Sequence, residues 1–562
     1  MKRLFTALAL LAVAQAPAYA QSNQDLARDG RGGSTDNVLT YGMGYHQNRY
    51  SPLAQINTSN VKKLVPVWSL GMENDLGEQA QPMVYDGVMY ISDAKWTVAI
   101  DAVSGKQLWR TAVNFDADTP RIVCCGVSNK GVALYNGKVL RTTIDAHVMA
   151  LDQKTGAVLW KQKVAEWKEG YSLTVAPLLA NGVLVTGCSG AEFGARCFLD
   201  GWNPDTGEHL WRRYTIPAPG EKGSETWPKD DSWKRGGGST WVTGSYDPEL
   251  DLMYWGTGNA APYNPAVRPG DNLYTASILA VRPKTGEIVW HYQVAPNEIY
   301  DWDTVWEIIL AEIKVDGLPR KVAMQMNRNG FLYVLDRATG ELLSAKPFTK
   351  VNWATHVDMK TGRPVESEES KKLRAGQQIQ LYPSIRGGKN WMHAAFNPNN
   401  GLIYAATNEG YSNYKLIPIE PFKPGFRYQA VEATYSAVTP QTVGYDGYRI
   451  ADGKLRALGV SSLNRIASVP DVPTLNELGF KDFEAVSWHM IVAPAGTPRE
   501  IVDRLHAEFK RIVARPEFRE QTLKMGLDAI DSPPPDELKR YLDTEISRWG
   551  KLVEDVGIAG TE

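Results

Sequence analysis

Residues that could do chemistry in this sequence gather around Tyr300-Asp301-Trp302-Asp303-Thr304, where two carboxylates stand one residue apart. In an extended run, side chains at i and i+2 point the same way, so Asp301 and Asp303 would present charge to one spot. Like charges that close raise each other's pKa unless a metal ion or a positive side chain lies between them. Gly187-Cys-Ser-Gly-Ala-Glu192 sets an acid in a glycine-rich loop, and Gly256-Thr-Gly-Asn259 offers an amide oxygen in another. Glu192, Asn259 and Asp301 together would make a hard, all-oxygen cation site of the calcium kind. Gly236-Gly-Gly-Ser-Thr-Trp241 places an aromatic ring after a flexible loop. Adjacent Cys124 and Cys125 read either as two small buried side chains or, in an exported protein, as a strained disulfide ring. Cys188 and Cys197 flank the Glu192 loop and could brace it as a disulfide or stand as inert thiols. None of the four cysteines lies in a Cys-x-x-Cys-His run, so covalent haem attachment is absent. The eight histidines have no metal-ligand spacing; no zinc site is expected, and His46 and His393 read as structural.

The scaffold that must position these residues is written as a repeat. Short β-rich runs break at Asp86-Gly87 and Asn136-Gly137, both hairpin signals. A longer motif ends in Gly105-Lys-Gln-Leu-Trp109, Gly156-Ala-Val-Leu-Trp160, Gly207-Glu-His-Leu-Trp211 and Gly286-Glu-Ile-Val-Trp290, with a weaker copy at Gly340 that lacks the tryptophan. Its step is about fifty residues, the period of propeller blades. Eighteen tryptophans and 50 glycines suit tight turns anchored by large rings that pack on neighbouring blades. The expected fold is all-β, a β-propeller followed by a small α/β tail.

Lys2 and Arg3, the apolar run Leu4 to Ala14, and Ala18-Tyr-Ala20 read as a secretory signal cleaved before Gln21. No stretch is long enough to span a bilayer. A net charge of -2 without a basic block argues against nucleic acid as a partner. Near residue 450 the pattern turns helical, with Thr497-Pro498-Arg499-Glu500 as a helix start and a second helix after Ser532-Pro-Pro-Pro. The expected division is 1–20 signal peptide, 21–448 propeller and 449–562 tail.

From about Gly42 to Asn408 the chain resembles the pyrroloquinoline quinone (PQQ)-dependent alcohol dehydrogenases, relatives of methanol dehydrogenase. The resemblance is carried by the runs above, and by Asn48-Arg-Tyr-Ser-Pro-Leu, Arg268-Pro-Gly-Asp-Asn272, Asn327-Arg328-Asn-Gly330 and Gly387-Gly-Lys-Asn390-Trp391. It implies an eight-bladed propeller with the quinone in its central funnel. It implies a Cys124–Cys125 disulfide on one face of PQQ and Trp241 on the other. Thr174, Ser189, Gly190, Ala191, Ser239, Arg328 and Asn390 would bond the cofactor, with Glu78 nearby. Lys130 stands where relatives usually carry Arg, keeping the charge and losing the bidentate fork. Glu192, Asn259 and Asp301 would hold Ca2+ or a lanthanide. Asp303 would be a further ligand that favours the trivalent ion. Asp301 would also be the catalytic base, and Arg328 would stabilise the reduced quinone.

The tail from Ile450 to Gly560 resembles the C-terminal part of the periplasmic receptors of tripartite tricarboxylate transporters, through Ser468-Val-Pro-Asp-Val-Pro-Thr474 and Ala493-Pro-Ala-Gly-Thr-Pro498. The propeller is therefore expected to lack its last blades. The leading expectation is a periplasmic oxidoreductase that takes hydride from a small alcohol and passes electrons to a cytochrome c. The alternatives are a non-catalytic propeller scaffold, as in outer-membrane assembly factors, or an inactive fusion of two incomplete modules. A solute-binding protein would need a complete two-domain cleft.

Overall fold

The Asp-Gly and Asn-Gly pairs do form turns. Asp86 and Gly87 take φ of 49° and 73°, and Asn136 and Gly137 take 50° and 74°. Positive φ at both central residues matches the right-handed twist of the flanking strands. In this computed structural model those strands pair in register, Tyr85 with Val88 and Tyr135 with Lys138. The structure describes residues 21–30, 36–72, 79–124, 127–434, 445–449, 454–457, 465, 473–479, 481, 496–524, 529 and 531–555. The signal-peptide residues, Glu78 and Cys125 lie outside them.

Among the described residues, six four-stranded antiparallel sheets follow one another along the chain, at 83–112, 133–163, 178–214, 245–293, 309–347 and 395–457. These are the blades of the expected propeller. One apolar cluster runs between the second, third and fourth sheets through Leu140, Leu184, Leu199 and Met253. Another joins the fourth and fifth through Tyr254, Ile278, Leu310 and Phe331.

The repeated tryptophan ties each sheet to the next. Trp109, Trp211 and Trp290 donate their indole N–H to Gln153 O (3.0 Å), Pro283 O (2.9 Å) and Arg337 O (3.3 Å) of the following sheet. The glycine of the following turn lies flat on the same ring. A Cβ on Gly286, at φ 67°, would come within 2.5 Å of the Trp211 ring. The motif therefore needs glycine twice over, for its backbone and for the ring beneath it.

In a meander the start of the first strand and the end of the second lie at the same edge of the sheet. Lys130, Thr174, Trp241, Asp301 and Asn390 each precede a first strand, and Ser189, Asn259 and Arg328 each follow a second. Topology alone thus gathers them on one rim, while the tryptophan turns lie on the other. An N-terminal segment crosses the first strands of several sheets. Val84 O accepts from Val38 N (2.8 Å), while Tyr246 N, Leu310 N and Phe396 N donate to Tyr45 O (3.0 Å), His46 O (3.0 Å) and Asn48 O (2.8 Å).

The sixth sheet is assembled differently from the others. Its third and fourth strands are Tyr445–Arg449 and Lys454–Ala457, and the first of these pairs with Leu402–Ala406 over five residues. The expected boundary at 448/449 falls inside that strand. Beyond it come helices Arg499–Val513, Pro516–Lys524 and Pro535–Asp555. The first begins one residue after Pro498, with Glu500 in its first turn. Its Ile501, Leu505 and Phe509 form an exposed stripe. No helix among the described residues is long and apolar enough to cross a membrane.

Candidate active site

Asp301 and Asp303 do face one positive group, and it is Arg328. One guanidinium nitrogen lies 3.3 Å from Asp301 Oδ2 and the other 3.3 Å from Asp303 Oδ2. Asp303 and Arg328 are buried, and the Asp301 side chain keeps 13% of its surface exposed. Burial opposes the charge on Arg328, yet Asp301 and Asp303 hold its pKa above the usual value. Burial also raises both aspartates, Asp301 well above the carboxylate range. Glu192 is pushed up to about 7, first by burial and then by the charge of Asp303. Three largely buried carboxylates thus face one guanidinium, and the excess negative charge favours a further cation.

The two aspartates are used differently. Asp303 Oδ1 accepts the backbone N–H of Asn259 (2.9 Å), and its Oδ2 accepts the indole N–H of Trp241 (3.2 Å) besides Arg328. Gly258 lets Asp303 come this close, since a Cβ there would fall 2.3 Å from Asp303 Oδ1 and 2.1 Å from Ser239 Oγ. Asp301 Oδ1 and Asn259 Oδ1 are buried and have no hydrogen-bond partner in the protein. Buried acceptors of this kind are costly unless something binds them. Among the described residues no three Cys, His, Asp or Glu side chains form a ready ligand cluster. A cation here would need the Asn259 amide oxygen with Asp301 and Glu192, an oxygen set that fits a hard ion.

A positive charge lies over the ring of Trp241. The Lys130 ammonium lies 4.6 Å from the centre of that ring, and its nearest bonding partner is Thr174 Oγ1 at 3.4 Å. Among the described residues no carboxylate pairs with it, and burial alone lowers its pKa to about 7. Thr174 Oγ1 also lies 3.2 Å from Ser189 Oγ. Gly190, at φ 127°, packs on the Gly170 carbonyl and leads into the short 3-10 helix Ala191–Phe193. A flat aromatic face between a lone ammonium and unpartnered oxygens fits a planar, acidic quinone with a bound cation.

The remaining expected residues divide. Cys188 and Cys197 form a disulfide beside the Glu192 loop. Cys124 is disulfide-bonded, while its expected partner Cys125 is not described. Asn390 is half-buried in a local turn, donating its amide N–H to Arg386 O (2.8 Å) and accepting the Trp391 backbone N–H on Oδ1 (2.8 Å). The adjacent Lys389 is fully buried against Glu307 at 2.9 Å. His393 joins that pair at 3.3 Å and meets the Tyr41 hydroxyl at 2.7 Å, a structural role as expected.

Sequence reasoning missed Tyr263, Trp306, Glu307 and Lys389. The Tyr263 phenol faces Asp301 and Glu192 and accepts from Gln429 Nε2 (3.2 Å). The Trp306 ring meets Trp241 edge-on at 5.5 Å. Their partners lie tens to hundreds of residues away along the chain, and no local motif marks them.

Comparison with known proteins places these features. A quinohemoprotein alcohol dehydrogenase of Pseudomonas putida, ADH IIB, is 45% identical over 386 residues, covering 66% of this chain and 56% of its own length. The quinoprotein alcohol dehydrogenase PedH of the same species is 42% identical over 429 residues, covering 72% of this chain and 71% of PedH. The chain therefore spans little more than half of one relative and under three-quarters of the other. Among solved structures, a europium-containing methanol dehydrogenase superposes with a TM-score of 0.70 at 31% identity, covering 78% of this chain and 88% of that one. Residues 433–558 match the tripartite tricarboxylate transporter receptor family. Residues 39–354 match the β-propeller domain of the glucose/ethanol/alcohol dehydrogenases that bear the name of PQQ, and it is to this quinoprotein alcohol dehydrogenase family that the chain belongs.

Proposed function

We propose that this chain is an exported, PQQ-dependent alcohol dehydrogenase acting in the periplasm, with a cytochrome c as the electron acceptor. The observation that carries the reading is the arrangement around Trp241. A buried ammonium with no carboxylate partner among the described residues lies over its ring. The same indole bonds Asp303, beside the unpartnered oxygens of Asn259 and Asp301. The sequence similarity to ADH IIB and PedH supports the same reading.

When bound, PQQ with its cation would supply a two-electron hydride acceptor polarised by a Lewis acid. The protein's own part follows from the side chains. Trp241 offers a flat face for stacking, and the ring of the Cys124–Cys125 disulfide would close the other side. Lys130 would hold an acidic group of the cofactor, and Thr174, Ser189, Gly190, Ala191, Ser239, Asn390 and Glu78 would complete its contacts. Asp301 Oδ1 takes the hydroxyl proton of the alcohol as hydride leaves the carbon. Arg328 keeps Asp301 in place through Oδ2 and supplies positive charge where the reduced cofactor gains electrons.

Glu192, Asn259 and Asp301 are the proposed metal ligands, with Asp303 joining when the ion is a lanthanide. A third carboxylate and the similarity to a europium-containing enzyme favour the trivalent ion over Ca2+. Residues 1–20 are proposed as the signal peptide. The receptor-like match starts at residue 433. We place the join of the two modules between there and residue 449.

Apoprotein mixed with PQQ and either CaCl2 or LaCl3, then assayed by dye reduction with short alcohols, tests this directly. Reduction that depends on both additions is expected, with lanthanum the better metal. No quinone bound and no reduction with either ion would sink the reading.

A further inference from the structure

Asp301 sits in the left-handed region at φ 65°, which side chains other than glycine rarely adopt. Something must hold it there, and neither Asp303 nor Arg328 touches the backbone on either side. Glu298 does. It is fully buried, and its Oε1 accepts the backbone N–H of Tyr300 (2.6 Å) and of Trp302 (2.9 Å), the two amides that flank Asp301. One carboxylate oxygen thus pins the peptide that enters Tyr300 and the peptide that leaves Asp301, while the carbonyl between them, Tyr300 O, accepts from the Tyr414 hydroxyl (3.1 Å).

The frame extends to the neighbouring loop. Arg268, also fully buried, donates to Glu298 O (2.5 Å) and Tyr263 O (3.0 Å) from one nitrogen and to Pro262 O (2.6 Å) from another. Asn272 Oδ1 accepts a fourth bond, from the remaining nitrogen, at 2.7 Å. Arg268 therefore fixes the loop that follows Asn259 against the loop that carries Asp301. Glu298 then sets the direction in which Asp301 leaves the chain.

We propose that Glu298 is a positioning residue: by accepting both flanking amides it holds Asp301 in the conformation that directs Oδ2 to Arg328 and leaves Oδ1 for cation and alcohol. This rests on the reading of Asp301 as ligand and base. Without the acceptor, two buried N–H groups lose their partner, and the loop regains them by turning Asp301 back to negative φ. The carboxylate then leaves Arg328. The role requires an oxygen acceptor and no charge, so Gln should replace Glu and Ala should not.

Three measurements on the full chain test this. Terbium luminescence titrates the cation site of the apoprotein, steady-state kinetics follow the PQQ-loaded protein, and amide exchange reports on residues 300–302. Glu298→Gln should stay within about threefold of wild type in terbium affinity and kcat, whereas Glu298→Ala should lose more than ~10-fold in affinity and ~100-fold in kcat with KM little changed, the cost of a misplaced reacting group. The Tyr300 and Trp302 amides should exchange faster in Glu298→Ala alone. Equal terbium affinity in Glu298→Ala and wild type, or a Gln variant as impaired as Ala, overturns the proposal. If the Ala variant does not fold, the wild-type amides decide, and exchange at the rate of exposed loops overturns it. A wild type that binds neither terbium nor PQQ defeats the enzyme reading instead, while the exchange contrast between Gln and Ala still tests Glu298.

Discussion

Lys130 makes the strongest claim on the pH behaviour of the site. Its folded pKa, about 7, lies below the ordinary lysine value of 10.5 because burial disfavours the ammonium. Between those values the unfolded chain binds more protons, so this residue makes the cofactor-free protein more stable as pH rises through that window. Binding of an anionic quinone has the opposite sign, because the charged lysine is the form that binds. Affinity for PQQ should be flat below about pH 7 and fall above it, and Lys130→Arg should remove the slope because the guanidinium stays charged. Quenching of tryptophan fluorescence from pH 6 to 9 in steps, roughly spanning the ordinary range of shifted lysines, would measure both. At this scale the sequence was legible where function is written in local runs. Asp301 and Asp303 were visible as a pair, and Glu192 and Asn259 as polar residues in glycine-rich loops. The Glu298–Arg268 frame was not, because backbone amides and carbonyls carry it and leave no residue type to notice.

At the scale of elements, the hairpins and the tryptophan repeat were legible because turn chemistry is local. In the hairpins the left-handed glycine follows Asn or Asp, and in the repeat turns it follows Ser or Thr. The packing consequence is sharper than the motif suggested, since Gly156, Gly207, Gly286 and Gly340 each face a tryptophan ring from the preceding sheet. Gly286→Ala should lower stability by at least ~1 kcal/mol from the left-handed backbone alone. The crowding against Trp211 adds to that, and chemical denaturation would read the sum. The same change at Gly317, where a Cβ meets nothing within 4 Å, carries only the backbone part. The pairing of Tyr445–Arg449 with Leu402–Ala406 could not be read from the chain. Strand partners far apart in sequence have no local signature, and the change of texture near residue 450 pointed to a boundary instead. Two strands that lie within the receptor-like match complete a propeller sheet. A chain ending at residue 433 should therefore expose the Leu402–Ala406 edge and aggregate by light scattering, whereas one ending at 458 should remain dispersed.

At the scale of the whole molecule, the propeller was legible from its period, and the family from the order of its motifs. How the ring is held was not. Leu53, Ile56, Leu64, Val65 and Val67 are exposed along one stretch, which the apolar pattern alone would have buried. The chain's early residues take their partners from its far side. The segment ending near Asn48 bonds to strands that begin at Ser245, Ile309 and Ala395. A residue made early must therefore wait for partners made some 350 positions later (Asn48 to Phe396), a separation typical of slow, non-local folding. During synthesis the segment around Asn48 is made well before the strands that fix it. Mutations in it should act chiefly on how quickly the finished protein escapes its chaperones.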